Sequence, residues 1–134
     1  MKLIKIAAII AIASVSFMSF TVLEKTNASF VYNIAKVNWI KESHDFGEIA
    51  QGKPVSVEFA FTNTGDEPLL IADVVPSCGC TASAYSKEII APGKSSTIKI
   101  TYNASMIGAF AKTITVNFQD AGLKKVLNIK GTVM

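Results

Sequence analysis

Val55-Ser56-Val57-Glu58-Phe59-Ala60-Phe61-Thr62 alternates apolar residues with small or polar ones. Successive side chains of a strand point to opposite faces, so this stretch reads as a strand burying Val55, Val57, Phe59 and Phe61. The same alternation recurs downstream. Ile98, Ile100 and Tyr102 alternate with Thr97, Lys99 and Thr101, and Ile114, Val116 and Phe118 with Thr113, Thr115 and Asn117. Further on, Leu127, Ile129 and Val133 take the inward phase of a last strand over Lys125 to Val133. Turn chemistry separates these runs at Asn63-Thr64-Gly65-Asp66, Ala91-Pro92-Gly93-Lys94 and Gln119-Asp120-Ala121-Gly122, where Asn and Gly tolerate positive φ. Leu69 to Val75 is apolar except for Asp73 and reads as a central strand, ended by Pro76, which cannot donate to a ladder. Helical periodicity is absent after residue 30. The expectation is an all-β chain, an immunoglobulin-like β-sandwich of about seven strands. An eight-stranded barrel is the alternative, for which the strand count is short. Phe46, Phe59, Phe61, Tyr102 and Phe118 fall on the buried phase and belong to the core, and Gly47, Gly65 and Gly93 mark bends.

Working outward, the N-terminus has a different character. Lys2 and Lys5 precede an uncharged run from Ile6 to Phe20, and the first acid is Glu24. That order is the signature of a secretory signal peptide. Thr26-Asn27-Ala28 offers small residues for cleavage before Ser29, with Ser14-Val15-Ser16 as a weaker site. An uncleaved membrane anchor is the competing reading, because a spanning helix needs about 20 apolar residues. No Cys lies near this region, which excludes lipoprotein acylation there. The expected organisation is 1–28 signal peptide, 29–41 lead-in or first edge strand, and 42–134 sandwich domain. Localisation is expected to be periplasmic or extracellular.

Charge follows the same division. Thirteen Lys, no Arg and ten acids give a net charge of +3. Removing 1–28 takes away Lys2, Lys5, Lys25 and Glu24, leaving ten Lys against nine acids, a net +1. The mature domain therefore makes no electrostatic case for nucleic acid, and it lacks the Arg that grips phosphate or carboxylate in two-pronged fashion.

Five segments, in order, carry a family resemblance: His44-Asp45-Phe46-Gly47-Glu48-Ile49, Phe59-Ala60-Phe61-Thr62-Asn63-Thr64-Gly65, Pro68-Leu69-Leu70-Ile71, Ser77-Cys78-Gly79-Cys80-Thr81 and Ile90-Ala91-Pro92-Gly93. From about Trp39 to the C-terminus the chain resembles the bacterial domain-of-unknown-function family 1573. That family is similar to the immunoglobulin-like modules related to major sperm protein, which are mostly binding and scaffold domains. The resemblance implies an exported all-β domain and supplies no catalytic residues.

Cys78 and Cys80 are the only cysteines. A bond between them would close a very small, strained ring, and strained disulfides are the more reducible ones. Four readings stay open: buried inert thiols, a redox pair, a soft-metal site, and pairing with a partner protein. A closed zinc site needs four ligands, and His44 is the one further soft candidate; two thiolates alone suffice for Cu(I). Other candidates point to ordinary structure. His44 beside Asp45 could be a base held by an acid, against which stands a surface or strand-edge residue. Glu58 and Glu88 are isolated, Asp66-Glu67 reads as a solvated turn rather than a calcium site, and no G-x-S-x-G elbow occurs. Asn103-Ala104-Ser105 spells a glycosylation sequon in a loop.

Two functions remain. The leading expectation is a non-enzymatic module that binds another protein through loops or an edge strand, with no catalytic residues and no cofactor. The alternative is a soft-metal (Cu or Zn) or thiol-redox protein using Cys78 and Cys80.

Overall fold

The alternation in the sequence becomes a two-layer sandwich in a computed structural model of the chain, which describes residues 37–119 and 122–134. The expected export segment and most of the lead-in lie outside the described residues, as do Asp120 and Ala121 of the turn after Gln119.

Among the described residues eight strands form in chain order: β1 (Val37–Trp39), β2 (Ser43–Ile49), β3 (Val55–Asn63), β4 (Ile71–Pro76), β5 (Thr81–Tyr85), β6 (Ser95–Tyr102), β7 (Gly108–Phe118) and β8 (Lys124–Val133). One sheet runs β1-β3-β6-β5 and the other β2-β8-β7-β4. No strand belongs to both sheets, which excludes the closed barrel. All pairings are antiparallel except β2 with β8. The chain passes between sheets sideways twice, at Ile40–Glu42 between β1 and β2, and at Ser77–Cys80 between β4 and β5. Both switches lie on lateral edges, since each of these four strands ends its sheet.

The core is the sum of the inward phases. Phe59, Phe61, Ile98 and Ile100 of one sheet meet Ile114, Val116, Leu127 and Ile129 of the other, all fully buried. Each such side chain contributes about 1.5–3 kcal/mol relative to exposure. Phe61 meets Phe118 edge-on, centroids 5.7 Å apart, and Tyr102 stacks on Phe110 at 4.0 Å, so aromatic pairs span the layers at two heights. Phe46 is only half-buried and packs at the margin of this core.

Two expectations change, and one holds for a different reason. The Leu69–Val75 run yields an edge strand, not a central one: β4 begins at Ile71, pairs only with β7 and carries a bulge at Ile71/Asp73, while Leu69 makes a lone bridge to Ile90. Its apolar residues are divided between the core, as with Ile71 and Val74, and the exposed face, as with Val75. β4 does end at Pro76, as expected, but not for want of a donor: Pro76 stands opposite Ile114 on an edge strand, where its missing N–H would face solvent, and the next N–H, of Ser77, still bonds to Thr113. Finally, the turn after β3 does not use a positive φ at Gly65. The fully buried Asn63 makes it instead: its Oδ1 accepts from Gly65 N–H at 3.0 Å, and its Nδ2 donates to the Glu67 and Ile90 carbonyls at 2.8 and 3.0 Å. That is an Asx turn, with the side chain serving as backbone.

Candidate functional site

The Cys78-Gly79-Cys80 segment is the second sheet switch, and its neighbours show how it is built. The register of β4 on β7 continues one residue past Pro76. Ser77 N–H donates to the Thr113 carbonyl at 2.8 Å. The return bond comes from Thr113 N–H to Ser77 Oγ at 3.2 Å, so the Ser77 side chain takes the place its carbonyl would fill in a continuing strand. The chain then leaves β7. Thr81 N–H closes a turn on the Cys78 carbonyl at 3.3 Å, and Asn103 N–H donates to the Cys80 carbonyl at 3.0 Å, docking the segment on the other sheet.

Between these anchors Cys78 and Cys80 are joined by a disulfide, with Cα atoms 5.3 Å apart. Both cysteines are half-buried, whereas Ser77 and Gly79 are exposed. Cys80 packs against the core. Thr81, only 5% exposed, brings its Oγ1 to 3.7 Å from Cys78 Sγ and 3.9 Å from Cys80 Sγ. Two sulfurs thus share one buried hydroxyl. The bonded state departs from the reading of two free, inert thiols. As a metal site, the bonded pair offers no thiolate, and reduction would be needed to provide two. Among the described residues no three His, Cys, Asp or Glu side chains cluster to complete a larger ligand set. His44 does not join the pair, because β2 and β4 are opposite edges of their sheet.

Nor do His44 and Asp45 form a dyad. Consecutive strand residues face opposite ways, and His44 turns inward, meeting the Phe46 ring edge-on at 4.6 Å. Asp45 turns outward. Its carboxylate accepts from Gly47 N–H at 2.8 Å and pairs with Lys130 at 3.4 Å. The Gly47 hydrogen bond, with help from Lys130, holds the Asp45 carboxyl below the usual carboxylate range. Glu58 stands opposite Lys99 on the outer face. Asn103 lies in the β6–β7 loop, its Oδ1 accepting from Ser105 N–H at 3.1 Å.

The sheet switch leaves a second feature that the sequence did not disclose. β4 covers β7 only as far as Ser77 opposite Thr113, while β7 runs back to Gly108. Along a strand, backbone groups face alternate neighbours. Thr113 faces β4, so Ala111 and Ala109 direct their N–H and C=O groups the same way, where the described residues offer no strand. Both alanines are exposed. Immediately upstream, Met106 and Ile107 are 75% and 69% exposed, and Met134, next in the β7–β8 register to Ile107, is 64% exposed. Periodicity misses this region because Gly108, Ala109 and Ala111 give no apolar contrast. Its one signal is the run Met106 to Ala111 without a charge.

The profile of the family described as "Protein of unknown function (DUF1573)" matches residues 37–133. The chain belongs to that family. The match runs from the first residue of β1 to the last of β8 and includes the sheet switch with its disulfide. No curated protein matches in sequence. Among solved structures, a protein of unknown function from Porphyromonas gingivalis W83 is similar at 17% identity with a TM-score of 0.63, over 73% of this chain and 46% of that one. The chain thus spans about half the length of that relative. The PapD-like domain 7 of human CEP192 is similar at 14% identity with a TM-score of 0.58, over 75% of this chain and 86% of that one. The YadV chaperone is similar at 16% identity with a TM-score of 0.52, over 72% of this chain and 51% of that one. At these identities the likeness is one of fold, a PapD-like and immunoglobulin-like sandwich.

Proposed function

We propose that this DUF1573 chain is a non-catalytic interaction module, exported to the periplasm or beyond, that receives an extended segment of a partner protein along the open edge of β7. The observation that carries this reading is the backbone of Ala109 and Ala111, which no strand among the described residues pairs where β4 turns away. An open edge is a template for strand addition. Main-chain hydrogen bonds supply the affinity, and alternate side chains supply the selectivity. Met106, Ile107 and Met134 give the incoming segment an apolar landing at the same end, the two methionines with flexible side chains suited to varied partners. PapD-like neighbours, one of them a chaperone, support an interaction role.

Two other open stretches are guarded. On β8, the stretch not covered by β2 carries Lys124 and Lys125, the latter ion-paired with Glu42. Charged side chains of this kind discourage strand addition. β1 is three residues long. The Ala109–Ala111 edge carries neither defence.

The test places a photo-crosslinking residue at position 109 or 111 of the full chain in its own cells. Discrete adducts at these sites, lost on Ala111→Pro, are expected, because proline removes a donor that no strand among the described residues uses. Adducts no stronger than those from position 99, on the outer face of the other sheet, would refute the reading.

A further inference from the structure

We propose that Cys78–Cys80 is a thiol–disulfide exchange site that accepts an electron pair from the dithiol of another protein, with Thr81 as its positioning residue. The inference rests on the sheet switch, not on the β7 edge, and stands or falls separately from it.

Three observations carry it. First, the bond ties residues only two apart, and its surroundings are pinned without it. Ser77 is held on Thr113, Asn103 on Cys80, and Ser83 Oγ on the Val74 carbonyl at 3.3 Å. The bond can open and close while the sandwich stays shut. Second, approach is open: Gly79 between the sulfurs is exposed, and a Cβ added there would meet nothing within 4 Å. Third, Thr81 places a buried hydroxyl within reach of both sulfurs. A disulfide that only cross-links needs no such donor. A leaving thiolate does, since hydrogen bonds to a charged group are stronger than those to a neutral one.

The electrons must come from outside, because this chain holds no other cysteine. A substrate thiolate attacks Cys78 Sγ, since Cys80 has its side chain against the core. A bond forms between the substrate sulfur and Cys78. The Cys78–Cys80 bond breaks, and its electron pair leaves on Cys80 Sγ, which the Thr81 O–H faces at 3.9 Å. The substrate's second thiolate then attacks the substrate sulfur of the mixed disulfide, closing the substrate's own disulfide and releasing Cys78. Two electrons pass from substrate to the pair, and the two protons of the substrate thiols end on Cys78 and Cys80.

The probe is dithiothreitol, a small dithiol, applied to the full chain under native conditions. Alkylation and intact mass follow the thiols, and circular dichroism follows the fold. Both thiols should appear while the β spectrum is unchanged, and oxidised dithiothreitol should restore the bond. Thr81→Val, close in shape, should slow reduction about tenfold by removing the charge-assisted hydrogen bond. Thr81→Ser should keep the wild-type rate. Thiols that appear only in denaturant, reduction that abolishes the sandwich, or a Thr81→Val rate equal to wild type would each overturn the proposal. The wild-type arms decide even if Thr81→Val fails to fold.

Discussion

Replacing both Cys78 and Cys80 by Ser should cost little stability, and the size of that cost separates a functional bond from a structural one. A disulfide stabilises chiefly by restricting the unfolded chain, and the restriction grows with the loop it closes. Here the loop is only three residues, Cys78 to Cys80. The chain-entropy relation then gives about 5 cal/mol/K, or about 1.6 kcal/mol at 25 °C. The native contacts around the bond survive its loss. The Ser77–Thr113, Asn103–Cys80 and Ser83–Val74 hydrogen bonds involve backbone groups or unmutated side chains. Both cysteines are half-buried, so a serine hydroxyl at either position retains access to water. The double variant should therefore unfold in one cooperative urea transition, about 1–2 kcal/mol less stable than the oxidised wild type. Its melting point should fall by about 10 °C. Dithiothreitol-treated wild type should lie close to the variant, which isolates the bond from the serine chemistry. A loss above about 4 kcal/mol, or a variant without a cooperative transition, would show that the bond holds the sheet switch together and would refute this reasoning.

Three further outcomes follow from the packing and the charges. Gly131→Ala would drive a methyl to 2.9 Å from the Gly47 carbonyl oxygen and from the Phe110 ring, itself stacked on Tyr102; a cost of about 1–3 kcal/mol is expected in urea unfolding, and an unchanged midpoint would contradict the close approach. Asn63→Leu would strand the Gly65 N–H and take a donor from the Glu67 carbonyl, while the Ile90 carbonyl keeps the Leu69 N–H; at about 1–3 kcal/mol for a buried orphan group, the loss should be about 1–3 kcal/mol, and a near-neutral variant would deny Asn63 its role in the turn. Asp45, its folded pKa below the unfolded value of 3.8, adds stability that is full above that value and is lost as pH falls through the folded one. Asp45→Asn should flatten the acid limb of the stability–pH curve below about pH 4, and a limb as steep as wild type would place the titration elsewhere.

How much of this was legible depended on whether a strand has one wet face. β3, β6 and β8 do, and Phe59, Phe61, Ile98, Ile100, Leu127 and Ile129 were read correctly as core from period alone. β4 misled because apolar residues occur on both of its faces, with Val74 buried and Val75 exposed. A continuous apolar run cannot announce that its strand will be an edge. The first half of β7 was silent because alanine and glycine carry little hydrophobic contrast. At the candidate site, Cys78 and Cys80 stood out by spacing, but the role of Thr81 did not. Its hydroxyl meets both sulfurs only because the turn closed by Thr81 N–H on the Cys78 carbonyl folds the segment back on itself. The open edge was equally unreadable, since it exists only as the difference between where β4 stops and where β7 starts.

The central claim, an unpaired β7 edge offered to a partner, is tested most directly by residue-resolved amide exchange on the full chain without any partner. The account requires alternation within one strand. The amides of Phe110 and Lys112, which face β8, should be strongly protected, while those of Ala109 and Ala111 exchange close to the rate of open backbone. Equal protection across positions 109 to 112 would mean that the edge is already covered, and the proposed docking strand would have no place to form.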